Sequence, residues 1–417
     1  MIAETPGLLE EVRSRFAHVE ACPFEGPRVF FENAGGALHL KSVVESSAAY
    51  AGYPDNEGRD NAASRALSAA VAKGREDMRT FLNAPDGEVF VGESGTEILF
   101  RLVRTAALDA SEGGIMLGST LEHPASTSAM ARWAAATGRE HLRLKHDDAA
   151  GSVGVDAYRA AVTPETRVAT IVHTSPVTGM STDVRGVAAA IRAVAPRCYI
   201  VVDGIQHASH GAVDVAAYGI DGYAVSPYKM FSRHGYGVGW ASPRLSAASR
   251  EALLGSREGN WELGTRDAGS YATFSDVVDY LAWLGGHFTE AQDRRARLEA
   301  GAGAIRAHEQ ALTRAMLEGT GNLRGLADMP GVTLIGGPAL EAREGVFSLT
   351  LDGVAAGDLV SRLREQGIRV HIRKNDHYCG NVLGPLGIEE CIRVSIAHYN
   401  TKAEVARFLS AMTEIAG

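Results

Sequence analysis

Two residues of opposite charge are spaced to share one ligand. Asp203 closes the apolar run Tyr199-Ile-Val-Val-Asp203, and Lys229 closes Ser226-Pro-Tyr-Lys229, 26 residues further on and just after a second apolar run, Gly222–Val225. Groups at the carboxyl ends of neighbouring strands point into the crevice where open α/β sheets bind ligands. Pyridoxal phosphate needs this pair: the amine holds its aldehyde as a Schiff base, and the carboxylate keeps the pyridine nitrogen protonated so that the ring takes up carbanion electrons. Spacing alone leaves a plainer reading open, with Asp203 as a strand-end cap and Lys229 as a solvated loop lysine. Lysine is scarce, occurring at 41, 73, 145, 229, 374 and 402.

A phosphate needs backbone amides at a helix N-terminus, with hydroxyls beside them. Ser94-Gly95-Thr96-Glu97 opens a helical stretch straight after an extended one. By itself this tetrapeptide is a capping signal.

These residues must be held by a regular frame. Between about residues 61 and 230, short apolar runs alternate with helical patterns: Glu88–Val91, Gly114–Leu117, His141–Leu144, Arg167–His173, Tyr199–Asp203 and Gly222–Val225 as strands, and Asn61–Leu82, Gly95–Ala110, Ser126–Thr137 and Val184–Val194 as helices. That alternation predicts a mainly parallel sheet covered by helices on both faces. A helical lead-in over Gly7–Glu20 precedes it, and a glycine-spaced strand at Gly235–Ala241 follows it. A long helix over His287–Glu318 leads into a smaller α+β lobe with strands at Gly345–Leu351, Ile368–Ile372 and Ile392–Ala397 and helices at Ala356–Gln366 and Thr401–Ile415. In the last helix Val405, Phe408, Leu409 and Met412 form one apolar face. The expected division is 1–27 as an N-terminal segment of the small domain, 28–286 as a large cofactor-binding domain, and 287–417 as the C-terminal small domain.

With 417 residues, 45% hydrophobic and 22% charged, the chain has enough apolar surface for a large core and no bias toward disorder. Its net charge of −9, from 41 basic and 50 acidic residues, includes no basic run, so no nucleic-acid partner is expected. No apolar stretch is long enough to cross a bilayer and the N-terminus lacks a leader pattern, so no membrane partner is expected either. Cys22, Cys198, Cys379 and Cys391 contain no CxxC pair, which argues against a disulfide framework or a metal site and for a reducing cytoplasm.

From Phe30-Phe-Glu-Asn-Ala-Gly-Gly to Tyr399-Asn-Thr-Lys402 the chain resembles the fold-type I, class V aminotransferase group, in particular its cysteine desulfurase-like branch. The resemblance is carried by Val202-Asp203 through Val213-Asp214-Val215, by Ser226-Pro-Tyr-Lys229, and by Arg393-Val-Ser-Ile-Ala-His-Tyr-Asn-Thr401. It implies an α/β fold with a large and a small domain, pyridoxal 5'-phosphate as cofactor, and a homodimer with shared active sites. Lys229 matches the Schiff-base lysine, Asp203 the pyridinium partner, and Gln206 a neighbour of the ring's phenolic oxygen. His123 matches a histidine that stacks on the ring, its plainer reading being a helix cap. Gly95, Thr96 and Ser226 match phosphate ligands, and Thr265 a residue that reaches the phosphate of the neighbouring subunit. Arg393 matches the arginine that grips the substrate α-carboxylate in bidentate fashion, and Asn33, Ala34 and Gly35 a loop over the substrate.

Departures from the family pattern bear on the reaction. Ser175-Pro176-Val-Thr178-Gly179 stands where relatives often carry S-N-x-x-G, and Ser232-Arg233-His234 where G-P-H is common. His377 and Cys379 fit a loop of the form R-x-G-H-H-C, whose cysteine attacks substrate sulfur in one desulfurase group, whereas Lys374-Asn-Asp does not. The expected activity is a C–S lyase acting on cysteine or an S-cysteinyl conjugate, with Lys229 moving the α-proton. The alternatives are an aminotransferase, an epimerase or a decarboxylation-linked deaminase, a cysteine desulfurase using Cys379, and a non-catalytic pyridoxal-phosphate-binding sensor.

Overall fold

Seven strands form the large sheet of the computed structural model, which describes residues 1–54, 56–257 and 259–417. In chain order they are β1 (Glu88–Gly92), β2 (Ile115–Ser119), β3 (Glu140–Leu144), β4 (Thr166–Val172), β5 (Tyr199–Asp203), β6 (Gly222–Val225) and β7 (Gly237–Ala241). Their spatial order is β1-β7-β6-β5-β4-β2-β3, and β7 alone runs against its neighbours. Both faces are covered, which is why β5 and β6 read as unbroken apolar runs and are buried at every position.

The two faces pack against different helices. Ile200 and Val202 join a core with Val187 and Ile191 of the helix Val184–Val194, while Tyr199 and Val201 pack with Leu99, Leu102 and Met130 from helices α1 (Gly95–Asp109) and α2 (Pro124–Ala136). Each fully buried Val, Leu or Ile contributes about 1.5–3 kcal/mol. Asp203 shares its parity with Tyr199 and Val201, so its carboxylate faces the α2 side.

Helices α3 (Ala268–Gly285) and α4 (Arg294–Glu318) follow. The small lobe is an antiparallel sheet of β8 (Val332–Ile335), β9 (Val346–Leu351), β10 (His371–Lys374) and β11 (Glu390–Ser395) in the order β8-β9-β11-β10. Phe347, Leu349, Ile392 and Val394 face its core together with Phe408, Leu409 and Met412 of the last helix, α5 (Lys402–Ala416). Thr401 caps α5 in a capping box with Glu404.

Packing divides the chain differently from the sequence boundaries at two places. Ile2, Leu8, Val12 and Phe16 lie in the large core, whereas Val29 and Phe31 lie in the small one, where Val29–Phe30 pairs in parallel with Ile368–Arg369. Helix α4 belongs to both, with Leu298 and Ile305 in the large core and Leu312 and Met316 in the small one. An amphipathic pattern marks that a helix is buried, not which lobe buries it. The predicted helix start at His287 shifts to Arg294, where Asp293 accepts from the Ala296 N–H as N-cap. Helix α3, Lys41–Ala51 and Val155–Ala161 were not among the expected elements.

Candidate active site

A cavity opens at the carboxyl ends of the parallel strands, lined by Thr96, His123, Pro176, Asp203, Gln206 and Lys229 among others. Its residues arrive from five strand ends: Thr96 after β1, His123 after β2, Thr174 and Pro176 after β4, Asp203 from β5, and Ser226 with Lys229 after β6.

Lys229 ends a short 3₁₀ turn, Pro227–Lys229. Two residues on, Phe231 takes φ +73°, a conformation that costs a side chain about 1–3 kcal/mol. Its ring lies edge-on to Phe16, Tyr280 and His398, and its carbonyl accepts from the Leu40 N–H at 2.9 Å, which holds the turn. The Lys229 amine donates to Gln206 Oε1 at 3.5 Å. Burial and then Arg393 push it down to about 8, against the pull of Asp203, so near neutral pH it exchanges readily between acid and nucleophile.

Asp203 is 4% exposed. It accepts from the Ile205 N–H at 3.1 Å and from Ser126 Oγ at 3.5 Å, and burial raises it above the ordinary carboxylate value. Among the described residues no salt bridge reaches it, and the nearby Lys229 charge offsets its burial only in part. A buried carboxylate of this kind calls for a cation from a ligand.

Ser94 caps α1 through Oγ, accepting from the Glu97 N–H at 3.2 Å. The amides of Gly95 and Thr96 therefore stand at the positive end of a fifteen-residue helix. A Cβ on Gly95 would lie 2.3 Å from Ser226 Oγ, and one on Gly237 2.7 Å from the Gly95 nitrogen, so small residues bring the amides, Thr96 and Ser226 into one cradle. The donor set fits pyridoxal phosphate: an anion cradle, an amine, and a buried carboxylate whose burial is only partly offset.

His123 is both cap and cavity wall. Its Nδ1 accepts from the Ala125 N–H at 3.1 Å, and its ring faces Tyr378 at 5.7 Å. Burial, then the charges of Lys229, Arg373 and Arg393, lower it to about 4, so it presents a neutral ring.

On the small-lobe side, Arg393 stands on β11 between Ile392 and Val394, which face the small core. Strand alternation turns its guanidinium to the cavity. Nη1 donates to Pro176 O at 3.0 Å, while Nε is buried with no hydrogen-bond partner among the described residues. Burial and Arg373 lower it to about 10, so it keeps its charge. A Cβ on Gly35 would lie 3.4 Å from Arg393 Nη2, so the loop passes directly beside the guanidinium. Ala34 N donates to Ser395 Oγ at 2.8 Å. The Asn33 amide donates to Ser395 O at 2.7 Å and accepts from the Tyr399 hydroxyl, so its side chain ties the loop to the small lobe.

Cys379 is 1% exposed, and Arg373 Nε donates to its Sγ at 3.0 Å. Burial raises the thiol above its ordinary value, although Arg373 pulls the other way. His377 is exposed and lies against Tyr378 at 4.0 Å. Thr265 is exposed on the segment leading into α3 and does not line this chain's cavity. Among the described residues no group of three or more His, Cys, Asp or Glu could hold a metal, and no helix is long and apolar enough to cross a membrane.

Sequence reasoning missed Arg373, Thr174 and Tyr228. The first had a signal in strand register: His371 faces Arg393 and Arg373 faces Cys391, which puts all four on the cavity side of the small sheet. Tyr228 and Thr174 line the cavity from turns that no periodicity marks.

The family model described as Aminotransferase class-V matches residues 29–408. A probable cysteine desulfurase of Pseudomonas putida is 29% identical over 83% of this chain and 82% of its own length, and the cysteine desulfurase-like protein ustD of Aspergillus flavus is 27% identical over 98% and 90%. Among solved structures, the cysteine desulfurase CsdA of Escherichia coli superposes with a TM-score of 0.78 at 24% identity, covering 97% of this chain and 98% of that one. The apo cysteine desulfurase of Thermococcus onnurineus gives 0.80 at 21%, covering 93% and 94%. These likenesses show the two-lobed pyridoxal-phosphate fold, and with the family match over most of the chain they make this protein a member of the class-V aminotransferase family, a pyridoxal-phosphate-dependent enzyme.

Proposed function

We propose that the enzyme cleaves the C–S bond of cysteine or of an S-cysteinyl conjugate. The observation that carries the reading is the Lys229 amine, lowered to about 8 by burial and by the charge of Arg393, in a cavity it lines with Asp203 and with Pro176, whose carbonyl accepts from Arg393.

Pyridoxal phosphate, when bound, supplies an electron sink for the bonds at the amino acid's Cα. In this reading Gly95, Thr96 and Ser226 would hold its phosphate, Asp203 would meet its pyridine nitrogen, Gln206 its phenolic oxygen, and the neutral His123 ring would pack against its ring. Arg393 grips the substrate α-carboxylate, with the Asn33 to Gly35 loop closing over it. Lys229 moves the proton at Cα, and sulfur leaves from Cβ. Cysteine and water then give pyruvate, ammonium and sulfide. Thr265 is exposed and does not line this chain's own cavity, and in this reading it would reach the phosphate of a second copy of this chain in a homodimer.

A second reading is favoured by the relatives named as cysteine desulfurases and by Cys379 standing beside Arg373, whose charge acts on the cavity's His123 and Lys229. There the Cys379 thiolate takes the substrate sulfur, giving alanine and a persulfide on Cys379. The raised, buried thiol supports the first reading over this one.

The test is a product assay with cysteine and S-substituted cysteines. Pyruvate identifies elimination, and alanine with persulfide on Cys379 identifies desulfuration. Turnover of neither cysteine nor any conjugate would overturn both.

A further inference from the structure

Behind Gln206 the large lobe holds a polar row where apolar packing would be cheaper. Gln206 Nε2 meets His210 Nε2 at 3.4 Å, and His210 Nδ1 meets Glu309 Oε2 at 2.7 Å. The three residues are 4%, 3% and 4% exposed. The row thus runs from the Lys229 amine to helix α4, and each member would be costly to bury without its neighbour.

An amide has a donor end and an acceptor end of almost equal shape, so what stands behind it decides which end it offers in front. His210 is the deciding group. Glu309 accepts the Nδ1 proton in either charge state of the ring. With Nε2 bare, His210 accepts from the Gln206 NH₂ and Oε1 faces Lys229, as in this structure. With Nε2 protonated, His210 donates to Oε1 and the NH₂ turns to the cavity.

Pyridoxal phosphate carries an ionisable phenolic oxygen next to the carbon that a lysine attacks, and an anionic oxygen wants a donor. We propose that Glu309 and His210 are positioning residues for Gln206: His210 Nε2 takes one proton from solvent as that oxygen arrives, and the amide turns to donate to it. The proposal rests on the reading of Gln206 as the neighbour of the phenolic oxygen.

The groups facing His210 make the charged ring accessible. Burial opposes it, and the Glu309 carboxylate outweighs burial, with Glu344 in support and Arg306 opposed, so His210 lies above the ordinary histidine value. His398, from the loop after β11, is held neutral by burial and by His308 and His210. The row joins elements far apart in the chain, and Glu309 sits where α4 passes from one core to the other.

The experiment titrates the visible absorbance of the cofactor-loaded protein with pH. A donor on the phenolic oxygen lowers the pH at which the chromophore gives up its proton. Glu309→Gln still accepts from Nδ1 but no longer supports a charged ring, so the midpoint is expected to rise by about one pH unit, as for the loss of one charge-assisted hydrogen bond. Gln206→Leu should raise it equally, and Glu309→Gln should add nothing in the Gln206→Leu background. An unmoved midpoint in Glu309→Gln, or additive shifts in the double variant, overturns the proposal. If Glu309→Gln does not fold by circular dichroism, His210→Leu takes its place with the same expectation. A wild-type protein without any visible band would overturn the cofactor reading as well, an outcome distinct from a band that fails to shift.

Discussion

Asp203, Ser226 and the Gly95 amide stand at the ends of buried parallel strands, whereas His377, Tyr378 and Cys379 stand on a loop after β10, the edge strand of the small sheet. The first set is fixed by a sheet covered on both faces. In the second, Cys379 is buried in the larger core, while His377 and Tyr378 are exposed and held by local contacts such as the Tyr378 N–H to Asp376 Oδ1 at 2.8 Å. The contrast separates two tasks. In the proposed reading the floor of the cavity selects the cofactor, and a frame of this kind accepts little change, whereas the loop at the sheet edge would bear on substrate and scissile bond and is freer to vary.

Substitutions on the two sides should therefore differ in kind as well as size. Lys229→Ala should abolish the absorbance fixed by borohydride and lower kcat by about 10³-fold or more, beyond the loss of proton transfer alone. A persistent reducible band would place the attachment elsewhere. Asp203→Asn removes the carboxylate that would pair with the bound ring's nitrogen, a change worth about 3–5 kcal/mol, and should slow turnover by roughly two to four orders of magnitude while cofactor still binds. Unchanged turnover would mean that the floor does not tune the ring.

At the rim the effects shrink. Arg393→Lys keeps charge but loses the fork, and KM should rise about 10- to 100-fold, the worth of charge-assisted bonds of about 1.5–3 kcal/mol, with kcat changing less. Cofactor uptake by the cofactor-free protein should follow the Lys229 amine. Only its deprotonated form attacks the aldehyde, so below about 8 the rate falls, by about tenfold per pH unit, and above it levels off. Stopped-flow absorbance checks this, and a rate flat from pH 6 to 9 would contradict the lowered amine. Cys379→Ser should leave pyruvate formation within about threefold, as expected of a residue outside the proton path. Complete loss of turnover would move the chemistry from floor to rim and select desulfuration.

How much of this the sequence disclosed follows the same division. The parallel strands and their helices were legible because burial on both faces writes long apolar runs, and Tyr199–Asp203 and Gly222–Val225 coincide with β5 and β6. Asp203, Lys229 and Ser94-Gly95-Thr96 were legible because strand ends and helix starts leave local marks. The motif Arg393 to Thr401 was legible as a family sign, yet its parts differ in use. Arg393 faces the cavity, while Tyr399 bonds Asn33 and Leu38 and Asn400 bonds Asn33 and Phe30, a clasp between the chain's two ends. Nothing in the local sequence separates these roles, because they depend on partners more than 360 residues away. The row from Gln206 to Glu309 was hidden for the same reason, and Arg373 was hidden because register alone aims it.

Helix α4 places one half in each hydrophobic core without a break. A continuous rod embedded at both ends couples the lobes mechanically, so neither can swing as a rigid shell or melt while the other stays intact. Heating should then dissolve both lobes in a single calorimetric peak.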